Sequence, residues 1–256
     1  MEVFLLHNNI YYILYNGDNM LIVNNLKKNY HTLKDEIKTL NNISFELKEN
    51  EFISIVGPSG CGKSTILSIL AGIIDKSDGI IICDKTIGYM LQDDLLFEWL
   101  TIYDNCLLGL KIQKKLNSEN KKYVLDLLEK YGLKDFINMY PNNLSGGMRQ
   151  RVALIRTLAI KPEILLLDEA FSKLDSQTKK FVIDDIYNIL REEKISCIMV
   201  THDISDAITF SDRILILQEK PSIIKREIKT NMTEIPSKRV YEKEYLKLLK
   251  EVDDNV

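Results

Sequence analysis

Eight consecutive residues, Gly57-Pro58-Ser59-Gly60-Cys61-Gly62-Lys63-Ser64, fit the pattern G-x-x-x-x-G-K-[ST], and Thr65 follows them. Glycines at this spacing let backbone N–H groups turn inward around phosphate oxygens, at a helix start whose dipole also favours negative charge. Lys63 is then placed to reach the β- and γ-phosphates of a nucleoside triphosphate, and the Ser64 hydroxyl to ligate Mg²⁺. The competing reading is a glycine-rich turn that contains a lysine by chance. It is disfavoured because an apolar run ends at Val56 and a helical pattern begins near Gly62, the context the chemistry requires. A second pair, Asp168-Glu169, stands at the end of the apolar run Ile164–Leu167. Beside such a loop, Asp168 can hold the magnesium shell and Glu169 can polarise an attacking water. Without the loop upstream, the pair would read as a solvated strand-to-helix turn. Cys61 near a helix start invites a redox reading, but a small residue that fits the loop is the better account.

Leu144-Ser145-Gly146-Gly147-Met148-Arg149-Gln150-Arg151 is a third feature, with Gly147 lying 21 positions (168 − 147) before Asp168. Ser145 reads as the cap of a helix whose glycine-rich start exposes N–H groups, a second anion site. The elements that must carry these residues follow from hydrophobic spacing. Phe52–Val56, Ile164–Leu167, Ile198–Val200 and Ile214–Leu217 are short apolar runs, expected to be strands buried on both faces. Ile66–Leu70, Leu144–Leu158 and Lys179–Leu190 carry helical spacing. Strand alternating with helix implies an α/β domain around a largely parallel sheet. Residues 101–135 read as a helical insertion, with Thr101 and Asp104 at a helix start and Tyr123, Val124, Leu127, Leu128 and Tyr131 on one stripe. An amphipathic helix is expected over about 239–252, as a solvated cap.

Composition excludes several classes. The chain of 256 residues carries 34 Lys plus Arg against 37 Asp plus Glu, a net charge of −3, so there is no surplus of basic residues to neutralise nucleic-acid phosphates. Apolar residues make up 45% and charged residues 28%, which suits a folded domain rather than a disordered chain. No apolar run reaches the roughly 18–20 residues of a membrane-spanning helix. The four cysteines, Cys61, Cys83, Cys106 and Cys197, are scattered and suit free thiols. Residues 1–19 lack the pattern of a secretory signal and read as a peripheral extension ahead of Met20.

The phosphate loop, the Leu144–Arg151 stretch and the Asp168-Glu169 pair together resemble the ATP-binding cassette ATPases. In that family the Ser145-Gly146-Gly147 helix start contacts the γ-phosphate of ATP held by the opposite subunit. The resemblance therefore implies a head-to-tail dimer of two copies with two ATP molecules at the interface. It further implies adenine stacking for Tyr30, magnesium and water sensing for Gln92, communication between the two sites for Ser172-Lys173-Leu174-Asp175, and γ-phosphate contact for His202. The implied fold is a phosphate-loop NTPase core over residues 20–230 with a small antiparallel β-subdomain, a helical subdomain at about 93–158, and a helical tail over 231–256. Two departures stand out. Ala170 occupies the place of the family's proline, which frees the turn at Glu169. Only 29 positions (92 − 63) separate Lys63 from Gln92, so the stretch Lys76–Lys85 is expected to be a trimmed accessory hairpin.

The segment Gln92-Asp93-Asp94-Leu95-Leu96-Phe97-Glu98-Trp99-Leu100-Thr101 is similar to that of importers of the nitrate, sulfonate and taurine type. Such an importer implies transmembrane permease subunits, indirectly a solute-binding protein, and a peripheral place on the cytoplasmic side of the plasma membrane. Phe97 and Trp99 either receive a permease helix or pack inside the helical insertion. Two rivals remain: a soluble cassette ATPase acting on a ribosome or DNA complex, and a small-molecule kinase that uses the phosphate loop alone.

Overall fold

The computed structural model describes residues 5–6, 9–10, 19–31, 35–172 and 174–256. The readings for residues 1–18 as an extension and for Lys173 lie outside these, apart from the paired two-residue strands Leu5–Leu6 (β1) and Asn9–Ile10 (β2). Two strands of 13 residues, Asn19–His31 (β3) and Glu36–Lys48 (β4), pair antiparallel. Asp78–Ile82 (β6) adds to the other side of β3, giving the order β4-β3-β6. The short Lys76–Lys85 stretch thus still supplies a strand. Gly79 enables it: its φ is +97°, and a Cβ there would lie 2.5 Å from the Asn25 carbonyl oxygen.

The four apolar runs are Phe52–Val56 (β5), Ile164–Asp168 (β8), Ser196–Val200 (β9) and Arg213–Leu217 (β10), each buried throughout. Ile87–Met90 (β7) and Ile224–Lys229 (β11) complete a sheet ordered β11-β10-β5-β9-β8-β7, parallel except for β11. Successive side chains point to opposite faces, and both faces are covered. Phe52, Leu165, Leu167, Cys197 and Met199 pack into one core, while Ile53, Ile55, Ile164, Leu166, Ile198 and Val200 pack into the other. That two-sided burial is why the runs are continuously apolar rather than alternating.

Lys63–Leu70 (α1) packs in the core shared with β3 and β4. Ile102–Ile112 (α2), Ser118–Lys130 (α3), Gly146–Leu158 (α4) and Ser176–Glu192 (α5) contribute to the other. Thr101 caps α2 by accepting from the Asp104 N–H. The helix expected from Lys179 starts earlier, at Ser176, because the Asp175 carboxylate accepts from the N–H groups of Gln177 and Thr178. Ile204–Phe210 (α6) follows β9.

At the chain's end the expected single helix is divided. Pro236–Arg239 (α7) is one turn, and Lys243–Asp253 (α8) is the amphipathic helix, seated through Leu248 and Val252. Arg239 is buried, not solvated: its guanidinium donates to the carbonyls of Thr209 and Glu234 and to the Tyr187 hydroxyl. It thereby satisfies a carbonyl of the last turn of α6. Among the described residues no helix is long and apolar enough to cross a membrane.

Strand order is what positions the chemistry. Ile55 pairs with Val200 and Val200 with Asp168, while Leu167 pairs with both Met199 and Met90. The C-terminal ends of β5, β9, β8 and β7 therefore lie side by side. The phosphate loop, His202, Glu169 and Gln92 each leave one of these four neighbours within a few residues, on the same edge of the sheet.

Candidate active site

The phosphate loop turns through left-handed backbone at Gly60 (φ +74°) and Gly62 (φ +108°). Gly62 also has no room for a side chain, since a Cβ would lie 2.9 Å from Leu40 Cδ2 and Thr39 Cγ2. Gly62 caps α1, and the first helical bond runs from the Ile66 N–H to its carbonyl. The N–H groups of Lys63, Ser64 and Thr65 thus sit at a helix start with no carbonyl a turn behind them. Lys63 is buried, and its ammonium donates to the carbonyls of Gly57 (2.8 Å) and Pro58 (2.9 Å), which ties the cation into the loop. Cys61 is buried as well, and burial pushes its thiol pKa up against the opposing pull of Lys63. The residue that merely fits the loop is what the structure shows.

The Ser64 hydroxyl donates to Asp168 Oδ1 at 2.9 Å, joining the two motifs. The other carboxylate oxygen accepts from the Tyr89 hydroxyl, also at 2.9 Å. Burial, reinforced by the Asp168 charge, pushes the Tyr89 phenol up to about 12, so it remains a donor. Sequence reasoning missed Tyr89. Its signal was its register: it lies in β7 beside Leu166 of β8.

Glu169 adopts left-handed backbone, with φ +47°. Its N–H donates to the Val200 carbonyl (2.9 Å), and its own carbonyl accepts from the Ser172 N–H (3.1 Å) and hydroxyl (2.8 Å). Three hydrogen bonds therefore hold the turn that Ala170 was expected to loosen, and Ala170 itself is buried. Glu169 Oε2 lies 3.3 Å from Gln92 Nε2 and 3.2 Å from His202 Nδ1. Gln92 also donates to the Ser172 hydroxyl at 3.3 Å. Glutamate, glutamine and histidine from three different strand ends thus meet at one carboxylate oxygen.

Glu169 and His202, but not Gln92, border a cavity of about 620 Å³ lined also by Tyr30, Ser59, Gly60, Gly62, Lys63, Ser64 and Thr65, with Thr39 and Lys220 as wall residues that the motifs did not reveal. Tyr30 stands half-exposed at its edge, with the Lys28 ammonium 5.0 Å from the ring centre. Ser145, Gly146, Gly147 and Asp175 do not line it. Ser145 caps α4 through the Met148 N–H, and Gly146 borders a separate groove with Asp93, Asp94 and Leu174.

The segment after Gln92 is clamped at its base. Arg149 donates to both oxygens of Asp94 (2.8 and 2.9 Å) and to Glu98 (2.9 Å), and Arg156 donates to the carbonyls of Asp94 and Leu95. Against the opposing effect of burial, the Arg149 hydrogen bonds hold the Asp94 carboxyl below its usual range. Phe97 and Trp99 meet edge to face at 5.0 Å, and Trp99 is 72% exposed, so this pair is not packed inside the helical insertion.

A parallel sheet that carries a phosphate loop and an acidic pair at neighbouring strand ends defines a phosphate-loop nucleoside triphosphatase. Residues 40–172 match the family described as "ABC transporter", and the chain belongs to that family, as an ATP-binding subunit with ATPase activity. The uncharacterized ABC transporter ATP-binding protein YtlC of Bacillus subtilis is 45% identical over 80% of this chain and 82% of its own length. The aliphatic sulfonates import ATP-binding protein SsuB of Bacillus thuringiensis is 37% identical over 82% of this chain and 86% of its own. The nitrate import ATP-binding protein NrtD of Synechocystis is 35% identical, with shares of 86% and 87%. Among solved structures, the dimeric post-hydrolysis state of the ATP-binding cassette MJ0796 bound to ADP and Pi superposes with a TM-score of 0.73. It is 32% identical, over 84% of this chain and all of that one. The resemblance read from the motifs and the α/β cassette fold are thereby both borne out.

Proposed function

We propose that this subunit energises import of a small solute through a separate membrane permease, working as a head-to-tail pair of copies with two ATP molecules between them. The observation that carries the importer reading is the Phe97–Trp99 pair. It stands exposed on a segment that begins at Gln92, beside Glu169, and whose base is fixed by Arg149. A permease helix seated on that pair would be linked to the hydrolytic carboxylate within one stretch of chain. Two relatives that are import ATP-binding proteins support the same reading. They are named for different solutes at nearly equal identity, which suits a cassette that leaves solute choice to the permease and its binding protein. The place of action would be the cytoplasmic face of the membrane.

In this reading Tyr30 stacks on adenine, and Gly57 through Thr65, with Lys63 foremost, hold the phosphates. Ser145, Gly146, Gly147 and Asp175 act on the nucleotide of the opposite copy. Glu169 accepts the proton of the attacking water as its oxygen bonds to the γ-phosphorus and the bond to the β-phosphate oxygen breaks. His202 and Gln92 orient Glu169 and the water, and positioning and electrostatics supply most of the acceleration. The donors at the loop suit Mg²⁺: a hydroxyl and a carboxylate, both hard oxygens, already lie 2.9 Å apart on Ser64 and Asp168, and Gln92, proposed as a third ligand, is bonded to the next residue, Glu169. When bound there, the ion would neutralise charge on the β- and γ-phosphates. Tyr89 fixes the Asp168 carboxylate from behind. Tyr89→Phe is expected to weaken Mg²⁺ affinity about tenfold, as losses of outer-shell partners do. The Mg²⁺ dependence of fluorescent nucleotide retention measures this, and an unchanged dependence would remove Tyr89 from the site.

The importer reading is tested by affinity purification of the Glu169→Gln variant with ATP from solubilised native membranes. A co-purifying polytopic permease is expected. Ribosomes or a DNA complex in its place would favour a non-transport cassette and leave Phe97 and Trp99 without a membrane partner.

A further inference from the structure

Among the described residues, His202 is held by a single side-chain hydrogen bond. Its side chain is 63% exposed, and its hydrogen-bonding partner is Glu169 Oε2. The direction of the ring is therefore set by the backbone turn that bears it, and that turn is only three residues long: β9 ends at Val200 and α6 begins at Ile204. Asp203 organises the turn. One of its carboxylate oxygens accepts from the N–H groups of Ser205 (2.9 Å) and Asp206 (3.2 Å), capping α6, and its own N–H donates to the Thr201 hydroxyl (3.0 Å).

The other Asp203 oxygen meets the Lys179 ammonium at 2.7 Å, and the same ammonium lies 2.7 Å from Asp206 Oδ2. One cation thus brackets the cap and the first turn of α6. Lys179 comes from a different element. It sits one turn into α5, and its N–H donates to the carbonyl of Asp175, the cap of that helix. We propose that Lys179 is the positioning residue for His202, fixing its turn from α5 so that the ring stays on Glu169, and so ties the Asp175 end of α5 to the hydrolytic site.

The electrostatics agree with that geometry. Burial pushes the Asp206 carboxyl up to about 6, with the Asp203 charge acting in the same direction. Burial alone would lower Lys179, yet its bonds to the two carboxylates hold it raised. Without the ammonium, two carboxylates three residues apart would face each other at the start of α6, and repulsion or proton uptake would loosen the cap. Lys179 never reaches the cavity that Tyr30 and the phosphate loop line, so nucleotide binding should not depend on it.

The inference rests on the role proposed for His202, and the experiment separates the two. Steady-state ATP turnover and melting temperature are measured for Lys179→Met, Lys179→Arg, His202→Ala and the Lys179→Met/His202→Ala pair. Lys179→Met is expected to lower kcat about tenfold while leaving KM for ATP within about twofold, since misdirected catalytic groups cost rate rather than affinity. Lys179→Arg, which keeps a donor for both carboxylates, should restore most of that loss. In the His202→Ala background, Lys179→Met should change kcat by less than about twofold, because residues acting through one group are not additive. Wild-type turnover in His202→Ala would overturn the role of the histidine itself. A loss in His202→Ala without one in Lys179→Met, or equal losses from Lys179→Met in both backgrounds, would overturn the positioning role. Should the Met variant fold poorly, Lys179→Gln carries the same comparison.

Discussion

Glu169→Gln is expected to cut turnover steeply while the protein still binds ATP, and with ATP it should accumulate as a dimer. The substitution keeps the volume of the side chain but replaces one acceptor oxygen by an NH2 donor, and the backbone bonds that fix residue 169 to Val200 and Ser172 do not involve it. What is lost is the carboxylate oxygen on which Gln92 and His202 converge. Removing a general base typically costs between about 100-fold and 10,000-fold in rate. Phosphate release should therefore fall at least about 100-fold. Lys63 and the loop N–H groups are untouched, so a fluorescent ATP analogue should bind as to wild type. Size-exclusion chromatography with ATP should show the dimer, and with ADP the monomer. Wild-type phosphate release by this variant would sink the assignment of Glu169 as the base.

The parts of the site legible in the sequence were those in which chemistry and backbone coincide locally. Gly57 to Ser64 carries its own strand end, its own left-handed turns and its own helix start. Asp168 and Glu169 likewise come with the strand that buries them. What could not be read depended on partners far away in the chain. Tyr89 is an ordinary strand tyrosine until strand order sets β7 against β8 and its hydroxyl meets Asp168. The left-handed backbone of Glu169 is invisible because it is imposed by Val200 and Ser172 rather than by a glycine. Arg239 reads as the start of a solvated helix, yet the carbonyls at the end of α6 draw it inside. The Lys76–Lys85 stretch reads as a trimmed hairpin because only 29 positions (92 − 63) separate Lys63 from Gln92, yet its strand of five residues suffices to pair with β3. Trp99 reads as a docking residue on the surface or as part of the helical insertion's core, since periodicity alone does not say which neighbours its segment has. The Arg149 clamp on Asp94 and Glu98 decides that outcome, and it joins residues more than fifty positions apart.

Gly147→Val should separate the two halves of the proposed dimer site within one chain. Gly147 lies in the first turn of α4 where that helix meets the first turn of α5, and a Cβ there would lie 2.6 Å from Thr178 Cγ2. No rotamer of the new side chain relieves such an overlap, because its Cβ position is fixed by the backbone. The branched side chain of valine also restricts what its neighbour can do. Thr178 is itself held at both backbone and side chain, as its N–H is one of the two that Asp175 caps and its hydroxyl also bonds to Asp175. The start of α4 must move instead, carrying with it Ser145 and Gly146, the residues proposed to meet the opposite copy's ATP. The cavity proposed to bind the chain's own nucleotide includes none of these residues. Affinity for a fluorescent ATP analogue should thus stay within about twofold of wild type, because no group touching it is lost. Turnover should fall about 100-fold, the scale on which loss of preorganised donors is felt. The Glu169→Gln/Gly147→Val double variant should remain monomeric with ATP where Glu169→Gln alone dimerises. Dimerisation of the double variant would mean that the Ser145–Gly147 turn does not face a second copy. Loss of nucleotide binding by Gly147→Val alone would mean instead that the turn acts on the chain's own phosphate loop, and the proposed head-to-tail pair would fall with it.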